Sequence, residues 1–111
     1  MFGNKMDKIA KWAEKGEGAK IAALVNDKHE DISLAAIDAL GKCQGDDPFN
    51  ALVPLVHSGT VEQRKHAAAA LGKMNVPRAR AFLEHQRTLE SDAGVKKAID
   101  DALGKIQDGE N

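Results

Sequence analysis

Residues 31–43 read DISLAAIDALGKC, residues 62–74 read EQRKHAAAALGKM, and residues 94–106 read GVKKAIDDALGKI. Leu-Gly-Lys recurs at Leu40–Lys42, Leu71–Lys73 and Leu103–Lys105, with spacings of 31 and then 32 residues. Self-similarity at such a period marks a repeat architecture. The match extends upstream of the leucine. Ala39, Ala70 and Ala102 precede it directly; Ala36, Ala67 and Ile99 stand four before it. Ala35, His66 and Ala98 stand five before, and Ile32, Gln63 and Val95 eight before. These positions make one helical stripe. Each copy therefore contains an amphipathic helix, B, whose small core residues let neighbours approach closely.

A shorter apolar helix, A, precedes each B. It carries Ile21, Leu24 and Val25 in the first copy and Leu52, Leu55 and Val56 in the second. In the third the pattern weakens to Ala79, Phe82 and Leu83. Residues 4–15 are in phase as well, because Ile9 and Lys11 lie 31 residues before Leu40 and Lys42. With Met6, Ala10 and Ala13 they predict a capping helix. The repeats are expected at 18–43, 47–74 and 77–107, all in one domain spanning 1–111. Thr60-Val-Glu-Gln63 has the form of a capping box. Asp47 before Pro48 predicts a cap followed by proline at the first helical position, with Pro77 in the same role for the third A helix. Ser91 or Asp92 can cap the third B helix. Gly16, Gly18, Gly45 and Gly59 mark turns, and Pro54 is expected to kink the second A helix.

These stretches, above all Asp31–Val56, resemble HEAT-type repeats, closest to the short variety named after phycobilisome bilin lyases. The resemblance covers residues 18–107. It implies an all-α fold, a right-handed α-α superhelix (solenoid) of three helical hairpins behind an N-terminal cap, with the B helices lining a concave face. The resemblance is specific for fold and nearly silent about function; the role expected here is noncatalytic protein binding or scaffolding through the B-helix face.

Composition agrees and excludes several classes. The chain has 111 residues, 42% hydrophobic and 30% charged, with three Phe, one Trp and no Tyr. Such a chain is long enough for one core without disulfides. Abundant Ala and few β-branched residues favour packed helices over sheets. No apolar run approaches a membrane span. The first twelve residues contain no apolar signal core, and the cytoplasm is the expected location. Cys43 is the single cysteine and is read as an inert residue at a helix end.

Removing the core stripe leaves a B-helix face that is expected to point away from the A helices. It carries Ser33, Leu34, Ile37 and Asp38 in the first copy and Arg64, Lys65, Ala68 and Ala69 in the second. In the third it carries Lys96, Lys97, Asp100 and Asp101. Leu34, Ile37, Asp38, Arg64, Lys65, Ala68, Lys96, Lys97, Asp100 and Asp101 form the candidate partner-binding site. Two readings compete for it. One is a solvated charged face, with Leu34 and Ile37 packed under the N-terminal helix. The other is a concave site for an acidic protein segment with an apolar anchor. A second copy, meeting the open solenoid ends, is a further candidate partner, and Trp12 could anchor such a contact or belong to the core.

The alternative function is nucleic-acid binding, using the four B-face cations with Arg78, Arg80 and Arg87. A net charge of −1 and few aromatics weigh against it. No enzyme activity, cofactor or metal is expected. Iron-binding relatives of the HEAT type carry repeated His-Glu pairs within their helices. Here His29-Glu30 falls in a turn, and Ala67 follows His66. His66 is expected to be a partly buried, hydrogen-bonded side chain.

Overall fold

A computed structural model describes residues 3–106. These form seven helices: α1 (Gly3–Lys15), α2 (Gly18–Ala22), α3 (Glu30–Leu40), α4 (Asp46–Ser58), α5 (Val61–Met74), α6 (Arg78–Leu89) and α7 (Ala93–Lys105). The capping helix and three A–B pairs are all present. Two layers result. Helices α1, α3, α5 and α7 pack side by side in that order, and α2, α4 and α6 cover one side of them. The array measures 43 × 31 × 17 Å, a thin slab one helical hairpin deep. An all-helical repeat solenoid is what these layers make.

Start and stop chemistry explains the boundaries. The capping box at Thr60 forms in full: its hydroxyl accepts from Gln63 N at 3.1 Å, and Gln63 Oε1 accepts from Thr60 N at 3.0 Å. Asp92 caps α7 by accepting from Val95 N at 2.9 Å. Asn75 ends α5 in the left-handed region at φ 54°, where a short polar side chain is tolerated. The start of α4 departs from expectation. Gly45, at φ 104°, precedes the helix, which begins at Asp46. Pro48 therefore lies within the first turn instead of opening it. Asp46 and Asp47 still place negative charge at the positive helix end. Helix α4 continues through Pro54 to Ser58. That proline is exposed, so its ring meets solvent while the opposite face, with Leu52, Leu55 and Val56, stays buried.

The first A helix is shorter than its apolar pattern suggests. Regular α2 ends at Ala22, and Leu24 and Val25 follow in tighter turns, bonded to Ile21 and Ala22 carbonyls. Both residues still reach the core. Most of the predicted stripe is buried: Ile32, Ala36, Ala39 and Leu40, then Ala67, Ala70 and Leu71, then Val95, Ile99 and Ala102; Ala35, His66 and Ala98, five before each leucine, together with Gln63 and Leu103, are only partly buried at its edge. Trp12 packs half-buried against it.

Neighbouring B helices run in the same direction. Contacts from α3 to α5 advance together along both, from Ser33–Gln63 through Asp38–His66 to Gly41–Ala70. The glycines of the first two Leu-Gly-Lys copies mark close approaches. A Cβ on Gly41 would lie 3.1 Å from Ala70 Cα, and one on Gly72 would lie 2.7 Å from Ala102 Cα. The Ala before one leucine thus packs on the Gly after the previous one. Gly104, the third copy, would meet nothing within 4 Å among the described residues.

Candidate functional site

A wheel of roughly 100° per residue sorts the B-helix positions into three faces. The repeated leucine faces the A layer. The glycine after it and the residue three before it share a second face, the seam with the next repeat. Ile37 and Ala68 occupy that seam and are fully buried, at 0% exposure each. Both stand in the candidate binding site read from the sequence and belong instead to the core; for Ile37 this agrees with the competing reading that has it packed, while Ala68 was expected to point outward. Ser33, one turn earlier, is buried too, at 1%. Its hydroxyl donates to the Val25 carbonyl at 2.6 Å and accepts from Gln63 Nε2 at 3.1 Å. Gln63 thus serves its own capping box and ties α5 to α3 at the same time.

The third face points away from the A layer. Asp38, Lys97 and Asp101 are exposed there, and Leu34 and Lys65 are partly exposed. Ala69 and the lysines of the three Leu-Gly-Lys copies, Lys42, Lys73 and Lys105, are exposed as well. Between α3 and α5 the face sinks into a groove of about 300 Å³, lined by Asp38, Lys42, Ala69, Ala70 and Lys73. Another concavity, of about 440 Å³, lies on the A side between α2 and α4, beside Asn26, Asn50 and Pro54.

Most of the predicted cationic patch is internally paired. Arg64 forks onto Glu90, with Nε to Oε1 at 3.0 Å and Nη2 to Oε2 at 2.9 Å, and donates to the Gly59 carbonyl at 3.0 Å. The guanidinium holds the Glu90 carboxyl below its usual range, and Glu90 in turn holds Arg64 above its own. Glu90 also accepts from Asp92 N, so one carboxylate joins the starts of two neighbouring B helices. Lys65 reaches Glu62 at 3.4 Å, and Lys97 reaches Asp101 at 3.0 Å. Asp100 is clasped by Arg87 of α6, which lowers its pKa. Arg78 bonds Asp46 and stacks 4.0 Å from the centroid of Phe49. Arg80 caps the last carbonyls of α7, at Leu103 and Ile106. Lys96 is only partly exposed.

His66 is half-buried, with Nδ1 2.8 Å from Asp38 Oδ1. It takes the hydrogen-bonded role expected of it. His29 turns back onto Asp27 at 3.2 Å. No group of three or more His, Cys, Asp or Glu side chains that could hold a metal occurs among the described residues. Cys43 is buried, its thiol donates to the Ala39 carbonyl at 3.6 Å, and burial pushes its pKa up.

Sequence reasoning missed the Glu90 clamp and the Ser33–Gln63 link, since both join residues about one repeat apart. It also missed the solvent-facing lysines of the repeat, although their recurrence was the plainest signal in the chain.

The layered hairpins define an α-helical repeat protein. The HEAT repeat profile matches residues 19–108, most of the chain, and the protein belongs to the HEAT repeat family. Neither the curated proteins nor the solved structures gave a match. Members of this family are generally noncatalytic scaffolds for protein interaction. No helix among the described residues is long and apolar enough to cross a membrane.

Proposed function

We propose that this protein binds a protein partner through the face of its B layer that points away from the A helices. The observation that supports this most is the groove between α3 and α5. Its alanine floor (Ala69, Ala70) lies between two lysines with long side chains, Lys42 and Lys73. Alanines there leave room for a partner backbone, as a concave site requires. The working set of residues is Leu34, Asp38, Lys42, Lys65, Ala69, Lys73, Lys97 and Asp101. Nucleic acid is less well supported, because Arg64, Lys65, Lys97, Arg78 and Arg87 already hold carboxylates of the same chain.

A photo-crosslinking residue placed at Ala69 tests the reading in lysate of the source cell, with Asn50 on the A side as the comparison position. Protein adducts from position 69 and none from position 50 are expected. Adducts from 50 alone would move the site to the A helices. Adducts removed by nuclease would replace the protein partner with a nucleic acid.

A further inference from the structure

The lysine of each Leu-Gly-Lys sits two residues past the leucine, at the carboxyl end of its B helix. Lys42, Lys73 and Lys105 are exposed, in matching register at the ends of parallel helices, with Lys42 in the turn just past α3. Lys11 has the corresponding sequence position on α1 and is exposed as well. No carboxylate among the described residues pairs with any of the four, nor with Lys8 or Lys28, whereas Lys5, Lys20, Lys65 and Lys97 each have one; what sets the four apart is their recurrence at one position of the repeat. Acidic residues gather at the opposite end of the same face, where Asp31 and Glu62 sit in the first turns of α3 and α5. Along this face the charges alternate: Asp31 and Glu62 come first, Lys65 and Lys97 next, Asp38 and Asp101 after them, and Lys42, Lys73 and Lys105 stand at the carboxyl end. Its basic edge is a row running across the repeats.

The spacing of that row limits what can follow it. Packed helix axes lie roughly 8–10 Å apart. A polyproline II segment has three residues per turn and rises about 3.1 Å per residue, so every third side chain points the same way at intervals of about 9 Å. A β-strand would send every third residue alternately to opposite sides. We infer that the Lys42–Lys73–Lys105 row receives an extended acidic segment of a partner protein, with a carboxylate at every third position meeting one lysine per repeat. The Ala69/Ala70 floor of the groove takes the backbone between the first two contacts. The row carries one cation per repeat and no aromatic side chain, so it offers a nucleic acid neither dense charge nor a stacking surface. This inference rests on the B-face reading above and specifies its partner.

Fluorescence anisotropy with a labelled (Glu-Pro-Pro)4 peptide tests it. The controls are (Gln-Pro-Pro)4, a peptide of the same composition with its four glutamates clustered, and the oligonucleotide dT12. The full chain should bind (Glu-Pro-Pro)4 and ignore the glutamine version. The clustered peptide should bind several-fold more weakly. Lys42→Glu/Lys73→Glu/Lys105→Glu should lose at least about tenfold in affinity. The triple Lys→Gln variant, which spares the helix ends an added negative charge, should lose less while keeping the wild-type circular dichroism. The inference is overturned if the chain binds none of the peptides, if the triple variants bind as well as wild type, if clustered and spaced glutamates bind alike, or if dT12 binds more tightly. Crosslinks at position 69 that survive in the triple variants would preserve the B-face reading and remove the acidic segment.

Discussion

Two surfaces of the same helical type meet opposite fates in this molecule. On α3 the seam-facing position, three before the leucine, is Ile37, and on α5 it is Ala68; both are sealed by the next repeat. On α7 the same position is Asp100, exposed and held by Arg87. The glycines follow suit, with Gly41 and Gly72 pressed against Ala70 and Ala102 and Gly104 meeting nothing within 4 Å among the described residues. An inner seam of apolar and small residues joins the described repeats, while the copy of that seam on α7 carries a charge held by an ion pair within its own repeat. The same position in the repeat is thus apolar or small where a helix is covered and charged where it is exposed.

Exchanging the two side chains breaks the comparison most severely. Ile37→Asp buries an unpaired carboxylate and should cost about 4 kcal/mol or more, much of the stability of a small domain; urea denaturation would show it. Asp100→Ile should change stability by about 1 kcal/mol or less yet create a sticky seam. Sedimentation should then show self-association beyond that of wild type. An Asp100→Ile protein that sediments like wild type would mean that charge is not what closes this face.

The glycines provide a gentler version. Gly72→Ala drives a Cβ into the backbone of α7 and should destabilise by about 1–3 kcal/mol. Gly104→Ala, in a helix with free space, should stabilise by about 0.5–1 kcal/mol through helix propensity. Opposite shifts in the urea midpoint would confirm that the two positions differ only in having a neighbour.

That asymmetry shows what a repeat pattern can and cannot disclose. The stripe from Ile32 to Leu40 and its copies was readable because burial against a helix of the same hairpin recurs every period. Ile37 and Ala68 were misplaced because a wheel drawn for one helix shows a side facing away from its own hairpin without showing what lies there. Only stacking separates solvent from the next repeat. The glutamate that clamps Arg64 stayed hidden for a related reason. Glu90 lies in a loop with no counterpart in the pattern, and its partner is a repeat away. Helix α2 is short for its apolar content, and nothing in Ile21, Leu24 and Val25 reports where regular bonding stops.

Smaller effects sharpen the contrast between seams tied by charge and seams tied by packing. Glu90→Gln should cost about 1–2 kcal/mol, since it weakens a two-pronged charge-assisted bond. Because Arg64 lowers the Glu90 pKa, that stabilisation is complete above the ordinary glutamate range and is lost as pH falls through the lowered value. A urea midpoint that declines on acidification in wild type but less so in Glu90→Gln is the expected result. The smallest effect lies at the other end of the array. Asp27 accepts from Lys5 of α1 and from the His29 backbone, and these bonds lower its pKa from 3.8 to about 2. Its hold on α1 should be intact above pH 4 and fade between about 4 and 2. Amide exchange in α1 should therefore quicken over that window before the rest of the chain responds, and Asp27→Asn should remove the pH step.

The glycine–alanine contacts also set how closely the B helices stack. In the B layer the backbones nearly touch at Gly41–Ala70 and Gly72–Ala102. In the A layer α4 and α6 are held apart by long side chains, with Arg78 set on Phe49 and His57 meeting Gln86 at 3.2 Å. Between the second and third repeats the B edge is thus narrow and the A edge broad, whereas between the first and second the A helices also meet closely, with Gly18 on Pro48. The methyl groups missing from Gly41 and Gly72 work as a spacing setting for the B layer. Restoring one would do more than strain a contact: it would push neighbouring backbones apart and widen the pitch of everything carried on the B face.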